Sequence, residues 1–382
     1  SGNLSDHAFQ SLSRALAEDP TSEETKAGLE RIARAEGWYA ELAKVFEDRA
    51  ASALVGGDPN AAEEATAIGD PAVAVDLFTM AARIYENDLG AAEPAVLHYR
   101  KVLEIDAANL AAAESLERMF RGGEQYAELS SVLQHKAEIL ENLSDKKGAL
   151  FQAASIEEDV LDRPDDAVVC YRKILELDAE DVRAVDSLIK VHLARGEWPS
   201  LLAAYVQKAD LVNDPAEKKS IFYQIGAVHE RELKDVPQAI DTYNRILEID
   251  PADLTALARL DALYQASENW AELLTVLQNQ SELAADAEES IRYQYRIAEL
   301  YEKRLADAPR AIELYRELLS QMPDHEPTLT ALEGIKDSGK DAHAAALVLE
   351  PVYDAAGDWA RLVSALEVQV KHTEDVFGRI DL

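Results

Sequence analysis

One cysteine, Cys170, stands in a chain of 382 residues, so no disulfide within the chain is possible. Basic residues are scarce, with 38 Lys and Arg against 73 Asp and Glu, a formal charge of −35. Such an excess repels phosphate backbones and anionic lipid, which argues against nucleic acid and favours a basic protein as partner. The same charge would also keep a long helical protein soluble with no partner at all. No stretch approaches the ~20 apolar residues of a membrane span. The eight histidines, His7, His98, His135, His192, His229, His325, His343 and His372, are dispersed, and none forms the His-x-x-x-His pair of a helical zinc site. Gly56-Gly57 and Gly122-Gly123 lack the lysine and hydroxyl residue of a phosphate-binding loop and read as helix terminators. The acidic run from Asp178 to Asp181 has no central glycine among alternating oxygen ligands, as an EF-hand requires. No nucleophile, base and acid group together. No catalytic residue, cofactor or metal is assigned, and the chain reads as a non-enzyme.

What the chain has instead is a period. The segment Ala95-Val96-Leu97-His98-Tyr99-Arg100-Lys101-Val102-Leu103-Glu104-Ile105-Asp106 recurs from Ala167, from Ala239 and more loosely from Ala311, each copy starting 72 residues after the last. Tyr99, Tyr171, Tyr243 and Tyr315 fall in one column, and Leu103, Leu175, Leu247 and Leu319 in another. A fixed period of this kind marks a solenoid, in which each repeat buries its apolar face against its neighbours. The length exceeds what one globular core organises, but an array grows in one dimension and escapes that limit. The apolar fraction of 48% is enough for packing.

Each unit holds four helical stretches. The first is clearest over 291–302, where Ile297, Leu300 and Tyr301 follow amphipathic spacing. A turn through Asp307-Ala308-Pro309 leads to the second, Ala311 to Leu319, which Pro323 helps to end as Pro251 does one unit earlier. The third, Leu254 to Tyr264, is entered through Asp253, an N-cap that recurs as Asn109 and Asp181. The fourth begins at an aromatic residue: Tyr39, Tyr126, Trp198, Trp270 and Trp359. That recurrence predicts packing between hairpins rather than a stacking platform. Small residues hold a column in the first helix, Ala82, Ala154, Gly226 and Ala298, as expected where two helices approach closely. Tyr39 to Tyr126 spans 87 residues and Trp270 to Trp359 spans 89, so some 15 to 17 residues are inserted in each, near Gly56 and Lys340. Cys170 shares a column with His98, Thr242 and Leu314, a mixture that predicts a half-buried, inert thiol. Arg100 with Glu104, and Arg172 with Glu176, are expected as solvated ion pairs of a few tenths of a kcal/mol.

The first two helices of each unit resemble a tetratricopeptide repeat, a helical hairpin of ~34 residues with small and aromatic residues at set places. Ala298 and Tyr301 match those places in the first helix, Ala311 and Tyr315 in the second, and Pro323 the closing proline. The loop around Ala308 is one residue longer than the family norm. The other hairpin, Leu257 to Leu283, departs further, with Trp270 in its turn and Leu273 where alanine is usual. The resemblance implies an all-α fold, a right-handed α-solenoid of such hairpins with about 72 residues and four helices per unit. It would form one array over residues 3–376, in units near 3–72, 73–144, 145–216, 217–288 and 289–376. Residues 377–382 would start a further, truncated repeat, and Ser1-Gly2 resembles a cleavage scar.

In this family the first helices line the concave face, where peptide ligands lie. The resemblance would place Thr79, Phe151, Tyr223 and Tyr295 there, with the column Glu86, Glu158, Glu230 and Glu302 one to two turns later. A groove of aromatic and carboxylate groups suits a segment bearing Lys or Arg, through charge-assisted contacts and cation–π packing. The glutamates could instead cap or salt-bridge neighbouring repeats. The function expected is a protein-interaction scaffold holding a protein or peptide partner, as a monomer or weak self-associate, in the cytoplasm or alternatively the periplasm. A substrate-recruiting arm of a larger enzyme and a self-assembling scaffold are the rival readings.

Overall fold

The computed structural model describes residues 2–55 and 69–372. Ser1, the expected insertion around Gly56 and the expected further repeat at 377–382 lie outside them. Among the described residues there are twenty α-helices and no strand. They pack as two compact units, Ser1–Arg195 and Gly196–Leu382. The first holds α1 (Gly2–Glu18), α2 (Glu23–Glu36), α3 (Tyr39–Val55), α4 (Pro71–Asn87), α5 (Ala92–Ile105), α6 (Leu110–Gly122), α7 (Tyr126–Ile139), α8 (Leu143–Ser155), α9 (Pro164–Leu177) and α10 (Val182–Arg195). The second holds α11 (Trp198–Leu211), α12 (Pro215–Ala227), α13 (Val236–Ile249), α14 (Leu254–Ala266), α15 (Trp270–Glu282), α16 (Ala287–Lys303), α17 (Ala308–Gln321), α18 (Glu326–Ser338), α19 (Ala342–Ala356) and α20 (Trp359–His372). Within each unit a helix packs chiefly on the helices before and after it in the chain, the pattern of an all-α helical repeat solenoid.

The caps explain why these helices start where they do. Asp253 Oδ1 accepts from the N–H groups of Thr255 and Ala256 at 3.1 Å, while Asn109 and Asp181 accept from Ala112 at 3.1 Å and Ala184 at 2.9 Å. Asp307 caps α17 by accepting from Arg310 N–H at 3.2 Å, and Pro309 sits in the first turn, so the helix begins before the expected Ala311. The long loop between first and second helices is built the same way four times. Gly90, Asp162, Lys234 and Ala306 take left-handed φ of 63°, 54°, 53° and 55°. The next residue's N–H then reaches back six positions: Ala91 to Tyr85, Arg163 to Glu157, Asp235 to His229 and Asp307 to Tyr301, at 2.7 to 3.0 Å. Ile156–Val160 and Val228–Leu233, which continue α8 and α12, widen into π-turns to accommodate the extra residue.

The repeated columns are the core. Tyr99, Tyr171, Tyr243 and Tyr315 are buried, as are Leu116, Leu188, Leu260 and Leu332. The small column admits the tyrosine of the next helix: a Cβ added at Gly226 would stand 2.8 Å from the Tyr243 ring. Ala82, Ala154 and Ala298 are likewise fully buried.

Three expectations need correction. Cys170 is wholly buried rather than half-buried, because residues 167, 168, 170, 171 and 174 form one inward face of α9. Its mixed column reflects what each neighbour leaves room for. His98, for instance, stacks between Phe78 at 5.6 Å and Tyr85 at 5.4 Å. Trp359 is 66% exposed, whereas Trp270 is partly buried and covered by the Arg304 guanidinium at 4.7 Å. Arg100 lies over the Phe120 ring at 5.4 Å, and no ion pair joins Arg100 to Glu104 or Arg172 to Glu176 among the described residues. The insertion expected near Lys340 is a helix of its own, α19. Two helices, α18 and α19, stand between α17 and α20, where α14 alone stands between α13 and α15.

Candidate functional site

Phe151, Tyr223 and Tyr295 are half-buried near the middle of α8, α12 and α16, and each packs on the tyrosine of the following second helix. Ring centroids of Phe151–Tyr171, Tyr223–Tyr243 and Tyr295–Tyr315 are 6.2, 6.2 and 6.0 Å apart. Thr79, the first-unit counterpart, turns its hydroxyl to the Val75 carbonyl at 2.7 Å and brings no ring. Seven residues along, two helical turns on the same face, stands the glutamate.

The structure joins the two columns. The hydroxyls of Tyr99, Tyr171, Tyr243 and Tyr315 donate to Oε2 of Glu86, Glu158, Glu230 and Glu302 at 3.0, 3.0, 2.8 and 2.8 Å. Burial, together with the carboxylate that accepts this bond, pushes the Tyr171 and Tyr243 phenols up to about 12 and holds Tyr99 and Tyr315 above their ordinary value. In three units a cation from the third helix takes the other carboxylate oxygen. Arg118 reaches Glu86 Oε1 at 2.6 Å, Lys190 reaches Glu158 Oε1 at 2.7 Å, and Arg259 reaches Glu230 Oε1 at 3.6 Å. Hydrogen bonding to Glu158 raises the Lys190 ammonium, and hydrogen bonding to Glu86 raises the Arg118 guanidinium. Among the described residues no base lies within ion-pair distance of Glu302.

The aromatic residues have further partners. Arg183 lies over the Phe151 ring at 4.0 Å, Tyr223 donates to Asp253 Oδ1 at 2.5 Å, and Tyr295 meets His325 edge-on at 5.5 Å. Burial and then the Asp253 bond raise the Tyr223 phenol. A second repeated device joins neighbouring hairpins: Lys147 bridges Asp178 and Asp181 at 2.7 Å each, and Lys219 bridges Asp250 and Asp253 at 2.6 and 3.0 Å. Spacing could have revealed these bridges, since Lys147 and Lys219 are one period apart and so are their acidic partners.

Clefts among the described residues lie along the helices. One of about 570 Å³ is lined by Arg100, Leu116, Phe120, Val132 and His135. Another of about 250 Å³ is lined by Trp270, Leu277, Arg296 and Arg304, where Arg296 grips Asp261 in a two-pronged bond at 2.6 and 2.7 Å. A third, of about 490 Å³, includes Tyr295 and Glu302. Among the described residues no group of three or more His, Cys, Asp or Glu side chains is placed to hold a metal ion, and no helix is long and apolar enough to cross a membrane.

No curated protein sequence matches this chain significantly. Solved structures with similar folds include YrrB, described as a TPR protein with an unusual peptide-binding site. It shares 18% identity over 48% of this chain and 90% of its own, at a TM-score of 0.26. The TPR domain of P58(IPK) shares 16% identity over 94% of this chain and 95% of its own, at 0.23. Human IFIT1, solved as a dimer with m7Gppp-AAAA, shares 13% over 98% and 88%, at 0.31. Identities and scores this low carry nothing about ligands. Residues 221–253 and 292–325 match the profile of the tetratricopeptide repeat family. These stretches cover α12 into the cap of α14 and α16 into the cap of α18, two of the four hairpins that carry the Tyr–Glu bond. Over residues 221–253 and 292–325 the chain carries tetratricopeptide repeats.

Proposed function

We propose that the chain is a non-catalytic protein-interaction scaffold that holds a basic partner segment along its first-helix face. The contact residues in this reading are Glu86, Phe151, Glu158, Tyr223, Glu230, Tyr295 and Glu302. The observation that supports it is the repeated display of ring and carboxylate on one helix face, in a chain of charge −35. Glu86, Glu158 and Glu230 keep 14%, 18% and 26% of their side chains exposed, so each still presents charge to solvent beside its internal partners. Many modest contacts suit an extended segment, with affinity set by how little must be ordered on binding. The acidic excess would steer a basic segment toward that face.

Peptide display against the purified chain tests this. Selected segments should be rich in Lys and Arg, and their affinity should fall as salt rises, because exposed charge pairs are screened beyond ~8–10 Å near physiological ionic strength. Selection of neutral or acidic segments whose affinity ignores salt would remove the basic-partner reading.

A further inference from the structure

The four repeats differ in one respect that bears on ligand binding. In the second, the chain supplies its own cations to the ring and the carboxylate: Arg183 covers Phe151 at 4.0 Å and Lys190 meets Glu158 at 2.7 Å. Two periods later the ring and carboxylate return as Tyr295 and Glu302, but the positions of Arg183 and Lys190 are held by Pro327 and Gly334. Arg259, which serves the third repeat from a position one turn earlier, is replaced by Ala331. The cleft of about 490 Å³ between α16 and α18 is lined by Tyr295, Glu302, Pro327, Thr330, Ala331 and Gly334. Glu302 Oε2 is held by the Tyr315 hydroxyl at 2.8 Å, while no cation of the described chain reaches Oε1. Lys303, also at the rim, is turned to Glu299 at 2.6 Å. Glu326 adds a second carboxylate to the lining, with Arg361 3.6 Å away.

We propose that this cleft receives an arginine side chain from a protein partner, which supplies in trans the cation that the first three repeats carry in their own third helices. The proposal rests on the scaffold reading and locates its anchoring contact. Arginine fits better than lysine because the corresponding ring in the second repeat is covered by a guanidinium, which stacks on an aromatic face and bonds a carboxylate at once. A carboxylate already oriented by a buried tyrosine loses little freedom when it accepts a further donor. Pro327, Ala331 and Gly334 leave the room that Arg183, Arg259 and Lys190 or their equivalents would fill.

The test uses the full chain, labelled for amide NMR, titrated with acetyl-arginine methylamide and separately with acetyl-citrulline methylamide, which keeps the shape and loses the charge. Saturable shifts are expected at Tyr295, Glu302, Thr330 and Gly334 with the arginine probe and not with citrulline. Gly334→Lys restores the missing cation at a helical position with open space around the added Cβ, and it should weaken the probe by about tenfold, the scale of one charge-assisted bond. Glu302→Gln should weaken it by a similar factor. Equal binding of the two probes, or unchanged binding to Gly334→Lys, would overturn the proposal, as would shifts that avoid this cleft. If the arginine shifts fall elsewhere on the first-helix face, the cleft fails while the basic-partner reading stands. Loss of that broader reading would show separately in the display experiment.

Discussion

Removing one hydroxyl measures the Tyr–Glu bond that recurs through the array. Tyr243 is 2% exposed and donates to Glu230 at 2.8 Å, so Tyr243→Phe keeps the packed ring and deletes only the donor. A hydrogen bond to a charged group contributes about 1.5–3 kcal/mol, and Arg259 remains 3.6 Å from the carboxylate to soften the loss. A destabilisation of about 1.5–2 kcal/mol is expected. Denaturation alone is insufficient because arrays need not unfold in one step, so hydrogen exchange across α12–α14 should accompany it. A cycle with Glu230→Gln should return a coupling of about 1 kcal/mol or more. The pH dependence adds an independent readout. The folded state holds the Tyr243 proton more tightly than the unfolded chain, with the phenol raised from 10.0 to about 12. Its contribution is therefore complete below pH 10 and is lost as pH rises toward 12. Tyr243→Phe should flatten the alkaline decline across that window. A variant within about 0.5 kcal/mol of the parent, with the same alkaline profile, would refute the structural role given to this bond.

Leu260 is fully buried within the second unit, and Leu260→Ala should cost about 2–5 kcal/mol. Because coupling is between neighbours, exchange should accelerate most around α13–α15, and an even rise over the whole chain would contradict the solenoid. Cys170 is fully buried with its thiol pushed up to about 11 by burial, so a thiol reagent at pH 8 should label it only after unfolding. Rapid labelling of the native chain would place that thiol at the surface.

The fold was legible wherever one residue type answers one local demand. Asp253, Asn109 and Asp181 are caps by chemistry, and the Tyr243 and Leu260 columns follow helical spacing onto a buried face. Legibility failed where neighbours decide. Asp162, Lys234 and Ala306 take a left-handed conformation that only Gly90, in the same column, advertises by residue type. Cys170 and His98 looked semi-exposed because their column is mixed, yet both are buried, each fitted to a different neighbour. Trp359 shares its sequence context with Trp270, but among the described residues no arginine covers it.

The glutamate column shows the limit most plainly. A period of 72 places Glu86, Glu158, Glu230 and Glu302 on one helix face, but spacing within a helix does not say which other helix that face meets. A carboxylate waiting for a ligand and a carboxylate bracing a tyrosine leave the same mark in the sequence. The tyrosine column lies 13 residues on and is equally regular, so regularity alone could not separate the two roles. What separates them is the column that varies. Arg118, Lys190 and Arg259 close three of the four carboxylates, and Gly334 with Ala331 leaves the last open toward a cleft. In an array built on repetition, structural roles repeat because every hairpin needs them, while a ligand needs only one place where the repetition lapses. Among the contact residues, the first to probe for function are therefore those of the repeat in which no bracing cation stands among the described residues.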